Sequence, residues 1–301
     1  MMQLAPIVLF TYNRPVHTCQ TIDALLKNEY ASESDLIIFS DAPKNDVAEE
    51  RVRQTRIYLK GITGFRSIKI IERTENMGLA ANIIDGVTQV VNEYGRIIVL
   101  EDDLLTSPYF LRYMNEALSM YEHVDEVISV HGYVYPVKKK LLPENFFLIH
   151  TDSLGWGTWK DKWVYFNPNG EELLRQLVQR GLLRQFNFDG SYNFARMLKR
   201  QTRGRNDSWA IRWYASAFLE NKLSLFPGRS LVFHNGGDNT GTNCVYESWL
   251  DVDLSDSPIN LRPQLPLIES IEARHAYVDF FRSLRIPIFV RIRNGIIRLF
   301  K

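Results

Sequence analysis

The sequence predicts an α/β fold: a mixed, mostly parallel central sheet flanked by helices, forming a single compact body with a C-terminal tail. Three observations carry this expectation. Short β-branched and aromatic runs alternate with segments of helical spacing through the first third of the chain. Strands and helices in that order join by right-handed crossovers into a parallel sheet. The chain has 301 residues, 45% hydrophobic and 24% charged, which is ample for a large core.

Residues 7–11 form the first predicted strand. Asn13, Arg14 and Pro15 make a turn, and Pro15 can open the helix expected over residues 16–28, because a first-turn position needs no N–H. Residues 36–41 read as a second strand ending in an acid, residues 49–59 as a charged surface helix and residues 67–72 as a third strand. Asn76, Met77 and Gly78 form the turn before a helix over residues 80–94, and residues 97–100 are the fourth strand. The second half is less regular. Helices are expected over residues 109–121, 171–184, 193–201 and 208–220, and strands over residues 126–130 and 146–150. Residues 133–143 read as a loop. A strand within residues 223–233 is broken by Pro227 and Gly228, and a polar, glycine-rich loop follows over residues 234–242. There are no internal repeats and no obvious interdomain linker.

A formal net charge of +1 gives no global field favouring nucleic acid. The two cysteines, Cys19 and Cys244, lie far apart and form no metal or disulfide pattern. No uncharged apolar run is long enough to span a membrane. The N-terminus shows no basic n-region or cleavage site, so a cytoplasmic location is expected. The C-terminus departs from the neutral pattern. Residues 280–301 interleave Arg282, Arg285, Arg291, Arg293, Arg298 and Lys301 with large apolar residues and contain no acid. Such a segment suits the anionic inner face of a membrane, as a peripheral contact; the other reading is a terminal helix docked on the body with a solvated basic face.

The most informative run is Arg96 to Asp103, an apolar strand that ends abruptly in Glu101, Asp102 and Asp103. Carboxylates packed at a buried strand end repel one another and lose solvation unless a cation or polar ligand receives them. Oxygen ligands there suit Mn²⁺ or Mg²⁺, ions that also hold diphosphates; a solvated acidic turn is the alternative. Ligands of parallel sheets bind beyond the carboxyl ends of the strands, where Arg14, Asp41 and the acidic triplet all fall. Asp103 is the first choice for metal ligand. Side chains alternate along a strand, so Glu101 and Asp103 are expected to share a face while Asp102 points elsewhere.

In order, the chain carries TYNRP (11–15), SDA (40–42), NMGLAANI (76–83), EDD (101–103), SLGWGTW (153–159) and NDSWAIRW (206–213). This series resembles the GT-A fold, nucleotide-sugar-dependent glycosyltransferases, and more narrowly the inverting N-acetylglucosaminyltransferase I-like group. The resemblance covers about residues 6–240. It implies a nucleotide-sugar-binding half over residues 1–130, an acceptor-binding half over residues 131–260, and the basic segment of residues 261–301 outside it. It implies donor-binding roles for Arg14, Asp41, Asn76, Glu101, Asp102 and Trp156. Arg14 would hold the nucleotide, Asp41 would accept from the uracil imide, Glu101 would face the sugar hydroxyls and Asp102 the ribose. Asp103 would hold the metal, with His234 near it.

Each role has a plainer competitor. Arg14 could stabilise a turn, Asp41 could form an Asx-turn before Pro43, and His234 could be a capping or buried hydrogen-bonding residue. Trp156 lies between Gly155 and Gly157, which would leave an indole face for a sugar ring or build an aromatic core corner; Trp159 and Trp163 read as core. Asp207 is the candidate general base, against an N-cap role before Ser208 and Trp209; Asp152 and Asp238 are in reserve.

The expected function is an inverting, metal-dependent transfer of a sugar from a nucleotide-diphospho-sugar, UDP-linked, to a glycan or lipid-linked acceptor, in surface polysaccharide synthesis. Two other functions compete. A sugar-phosphate nucleotidyltransferase would need a glycine-rich loop after the first strand, and TYNRP has no glycine. A catalytically inactive nucleotide-sugar-binding module would not need the acidic triplet.

Overall fold

The computed structural model describes residues 3–137, 142–237 and 248–284. The first part of the chain forms β1 (Ile7–Thr11), α1 (Pro15–Leu25), β2 (Asp35–Ser40), α2 (Asp46–Lys60), β3 (Ser67–Glu72), α3 (Leu79–Tyr94) and β4 (Arg96–Glu101). Then come β5 (Leu104–Thr106), α4 (Phe110–Met120), β6 (Val127–His131), β7 (Asn145–Leu148), β8 (Trp156–Trp159) and α5 (Lys160–Trp163). The remainder is α6 (Gly170–Gln179), α7 (Leu183–Phe186), α8 (Phe194–Gln201), α9 (Trp209–Leu219), β9 (Leu223–Pro227), β10 (Val232–His234) and α10 (Ile271–Ser283).

One eight-stranded sheet has the order β3-β2-β1-β4-β8-β6-β9-β7. β1, β2, β3 and β4 are mutually parallel. β8 runs antiparallel to both β4 and β6, β9 is parallel to β6, and β7 is antiparallel to β9. This is the mixed, mostly parallel sheet that the sequence predicts. β1 is buried at every residue, as a central parallel strand covered on both faces must be. β3 lies at the edge, and its outward residues are exposed.

Side-chain alternation sorts the core into two faces. Ile98 and Leu100 join α1, α4 and α10 on one side, whereas Ile97 and Val99 join α3, Trp156 of β8 and the tryptophans of α9 on the other. Local chemistry sets the helix ends. Pro15 opens α1. Asn45 caps α2 by accepting from the Ala48 N–H at 3.1 Å, with Asp46 and Glu49 in the first turn favouring the positive end of the helix dipole.

The expected helix over residues 171–184 is two helices. Gly181 takes a φ of +68° and the chain turns there, with the Leu182 N–H reaching back to the Leu177 carbonyl at 2.9 Å. The residue-153 motif supplies an unexpected strand, β8, between β4 and β6. A Cβ at Gly157 would lie 2.8 Å from the Ile97 carbonyl oxygen, so glycine is what allows this close pairing.

The basic C-terminal segment starts inside a helix. Residues up to Ser283 belong to α10, and Phe281 is 1% exposed, packed against Tyr135, Phe188, Phe194 and Tyr277. Apolar residues there serve the core of the body, as in the docked-helix alternative. Residues 285–301, Asp238 and Cys244 lie outside the described residues. No helix among the described residues is long and apolar enough to cross a membrane.

Candidate active site

Parallel strands aim their carboxyl ends at one edge of the sheet, and the loops after β1, β2 and β4 meet there. The turn after β1 carries Arg14, which precedes Pro15 and the first turn of α1. Its Nη1 donates to Asp103 Oδ2 at 2.8 Å, and its Nη2 to the Gly236 carbonyl at 3.4 Å. The Arg14 and Asp103 side chains are only 8% and 13% exposed, so this is a largely desolvated ion pair.

The acidic triplet does not continue the strand's alternation beyond Glu101, because the chain turns at Asp102 and Asp103 before β5. Glu101 follows Ile97 and Val99 on the α3 and α9 side. Asp102 is buried and turned back towards β1: its Oδ2 accepts from the Tyr12 N–H at 3.1 Å. Thr21 of α1 donates to the Asp102 carbonyl at 2.9 Å, which fixes the turn further. Asp102 therefore holds the loop that carries Arg14. Asp103 points the other way.

His234 reaches the site through a small second sheet. β10 pairs antiparallel with β5, placing His234 opposite Leu104, and the Asn235 N–H continues the pairing to the Asp103 carbonyl at 2.8 Å. His234 Nε2 then sits 3.4 Å from Asp103 Oδ2. Asn235 also donates to Gln20 of α1 at 2.7 Å, clamping the loop. Gly236 completes the arrangement. A Cβ there would lie 2.3 Å from Asp103 Oδ2 and 2.6 Å from His234 Nε2. The missing side chain thus leaves room beside a carboxylate and an imidazole. Gly236 belongs to the glycine pair two residues after His234, which is its visible signal in the sequence.

The charges are strongly coupled. Burial, with Asp103 and Asp102 close by, pushes Glu101 up to about 8. Burial and the Asp103 charge push Asp102 up to about 7. Asp103 is also buried, but His234 and Arg14 outweigh that and hold it below the usual carboxylate range. Of the three carboxylates, Asp103 is the one whose ionised form its neighbours favour.

Asp103 and His234 can share a divalent ion. Two ligands of one octahedral ion, each about 2.1 Å from it, lie about 3 Å apart, close to the separation found here. Among the described residues no group of three or more His, Cys, Asp and Glu side chains forms a metal site. Such an ion would therefore take one carboxylate and one imidazole from the protein and the rest of its shell from substrate oxygens and water.

Asp41 follows the end of β2, as expected, with its carboxylate turned to the backbone. Its Oδ1 accepts from the Ala42 and Met77 N–H groups, each at 2.9 Å, and its Oδ2 from the Gly78 N–H at 2.9 Å and Asn76 Nδ2 at 3.1 Å. An ionised carboxylate offers about four lone-pair sites, and four donors already fill them. Asp41 and Asn76 thus build the turn that starts α3, close to the Asx-turn alternative, and Asp41 has no acceptor left for a base.

Trp156 is 0% exposed; Trp209 stacks on it at 5.3 Å, with Trp163 and Trp213 alongside. It is the core corner, and no face is open to a sugar. The same stacking has a use. Trp156 pairs in register with Val99, two residues before Glu101, so Trp209 anchors the start of α9 on the Glu101 side of the sheet. Asp207 precedes that start and is 72% exposed. The cap of α9 is Ser208, whose Oγ accepts from the Ile211 N–H at 3.2 Å, so Asp207 is not the N-cap. Its Oδ1 accepts from Arg212 Nη2 at 3.1 Å. Asp152 is partly buried, its Oδ1 held by the Ser153 and Leu154 N–H groups at 2.7 and 3.1 Å; burial raises it against those hydrogen bonds.

The model of the family described as "Glycosyl transferase family 2" matches residues 7–186. No relative is found among curated proteins. Among solved structures, similar chains include S. aureus TarS 1–349 (TM-score 0.46, 10% identity, 78% of this chain and 61% of that one). The mannosyltransferase PcManGT from Pyrobaculum calidifontis, solved with GDP-Man and Mn²⁺, has a TM-score of 0.40 and 11% identity over 73% of this chain and 70% of that one. Mouse xyloside xylosyltransferase 1 has a TM-score of 0.38 and 12% identity over 79% and 99% of the two chains. This chain thus spans about three fifths of the TarS fragment. The family match runs from β1 through the acidic turn to α7, more than half of the sequence, and the chain belongs to glycosyl transferase family 2.

Proposed function

We propose that the protein transfers a sugar with inversion from a nucleotide-diphospho-sugar, UDP-linked, to a glycan or lipid-linked acceptor, in a reaction dependent on Mn²⁺ or Mg²⁺. One observation carries this reading: a guanidinium, a carboxylate and an imidazole meet beside a glycine at the carboxyl edge of the sheet. Asp103 and His234 would hold the ion, which when bound neutralises charge on the departing diphosphate. Arg14 is placed to grip diphosphate oxygens through its planar fork. Asp102 keeps the Arg14 loop in place, and Asp41 with Asn76 shapes the floor of the nucleotide pocket. Asp207 would take the acceptor hydroxyl proton as the anomeric carbon is attacked. The narrower likeness to N-acetylglucosaminyltransferase I-like enzymes, carried by the EDD turn and the motif order, makes UDP-N-acetylhexosamines the first donors to try. The arginines and lysine from Arg285 to Lys301 would bring the enzyme to an anionic surface bearing lipid-linked acceptors.

The test is calorimetry with UDP, with and without Mn²⁺, followed by hydrolysis of a nucleotide-sugar panel. UDP binding strengthened by the ion, with turnover of one UDP-sugar, supports the proposal. Binding only to triphosphates, with pyrophosphate release, overturns it, as does the absence of nucleotide binding with any ion.

Gly236 gives a sharper prediction. Gly236→Ala places a methyl group where Asp103 and His234 face each other. UDP affinity in the presence of Mn²⁺ is expected to fall by about tenfold or more, a loss of about 1.4 kcal/mol or more. Affinity without the ion should fall less, and the melting temperature should drop as well, because Asp103 or His234 must shift to admit the methyl group. Calorimetry under both conditions checks this.

A further inference from the structure

The cation already at Asp103 is an arginine. Arg14 Nη1 lies 2.8 Å from Asp103 Oδ2, the oxygen that faces His234 Nε2 at 3.4 Å. The second prong of the same guanidinium reaches the Gly236 carbonyl. One side chain therefore spans the acid and the glycine that border the proposed ion position. A divalent ion arriving alone at Asp103 would meet a carboxylate whose charge is already compensated, with a second positive charge about 3 Å from the shared oxygen, in a largely desolvated setting where that repulsion is strong. A nucleoside diphosphate changes the balance. Its oxygens match the guanidinium fork better than a single carboxylate oxygen does, so Arg14 can move to them without losing a charged partner.

We propose that Arg14 is a placeholder cation: it closes Asp103 to divalent ions until the donor's diphosphate draws it away, so that ion and donor enter together. This inference rests on the reading of Asp103 and His234 as an ion-binding pair and adds the order in which the pair is filled. Its physical content is a coupling free energy, which must act equally in both directions: the diphosphate tightens the ion as much as the ion tightens the diphosphate. Arg14 thus has two opposed effects, weakening binding of the ion alone and strengthening binding of the nucleotide.

The experiment measures Mn²⁺ binding by electron paramagnetic resonance of the free aqueous ion, with and without UDP, in the full-length protein. In the wild type, saturating UDP should tighten Mn²⁺ by about tenfold or more. In Arg14→Gln, Mn²⁺ alone should bind about tenfold more tightly than to the wild type, the UDP effect should be smaller than in the wild type, with only direct ligation by diphosphate oxygens left to supply it, and UDP itself should bind more weakly. Arg14→Lys retains a charge but cannot bridge both Asp103 and Gly236; it should fall between the two and serves if the glutamine variant does not fold. An affinity for Mn²⁺ alone that is unchanged or reduced in the folded variants overturns the placeholder role. Failure of the ion-pair reading looks different: the wild type itself would then show no linkage between Mn²⁺ and UDP.

Discussion

Asp103→Ala is expected to abolish the effect of Mn²⁺ on UDP binding. Removing a groove residue that merely supports a metal ligand typically costs 10–100-fold in affinity, so loss of the carboxylate itself should cost on the order of 100-fold or more in ion-dependent UDP affinity. The expectation follows from geometry: Asp103 is the member of the triplet aimed at both Arg14 and His234, and the one held ionised by them. Asp102 is turned towards the Tyr12 N–H, and Arg14 donates to Asp103. Stability should fall as well, by up to a few kcal/mol, because a buried ion pair loses one partner. Asp103→Asn keeps the shape and separates the two effects. The measurement is calorimetry with UDP, with and without Mn²⁺, beside a melting curve. Unchanged affinity for UDP with Mn²⁺ in a folded Asp103→Ala protein would remove residue 103 from the ion site.

The second large effect is expected at Asp207. Asp207→Asn keeps size and hydrogen-bonding shape but removes basicity. Loss of a positioned general base typically costs 10²–10⁴-fold, so transfer to the acceptor should fall by about 10²-fold or more. Donor affinity should stay within about twofold, because the ion pair and Arg14 are untouched. The fold should barely respond. Asp207 is 72% exposed and its pair with Arg212 is worth about 1 kcal/mol or less, while Ser208 supplies the cap of α9. A KM for the donor that is unchanged beside a collapsed kcat is therefore the expected signature. Near-normal turnover would shift the base to Asp152, whose raised carboxyl lies close enough to His234 to feel its charge.

The acidic triplet shows what kind of information a single chain carries. An apolar strand ending in three carboxylates was legible as a site, because clustered charge at a buried strand end needs a partner whatever the fold. Which carboxylate does what was not legible. Strand alternation set Asp102 apart from its two neighbours, and Asp102 does turn to the Tyr12 N–H, but only the turn after Glu101 shows which partners Asp103 meets. The same holds for Trp156. Flanking glycines announced a close backbone approach correctly; the indole turned out to fill the core, because Gly157 pairs with the β4 backbone and draws the tryptophan in among three others.

The sequence by itself determined the alternation of strands and helices, the parallel run at the heart of the sheet, and the edge at which Arg14 and the acidic triplet meet. These follow from short-range periodicity and from end-residue chemistry, which neighbouring residues encode. Only the tertiary structure decided that His234 stands beside Asp103, that Gly236 leaves the room between them, that Asp41 is consumed by the turn before α3, and that α10 completes the core. Those outcomes depend on pairings between residues distant in the chain, such as β5 with β10, and no local pattern of hydrophobicity or charge specifies which distant backbone a strand will find.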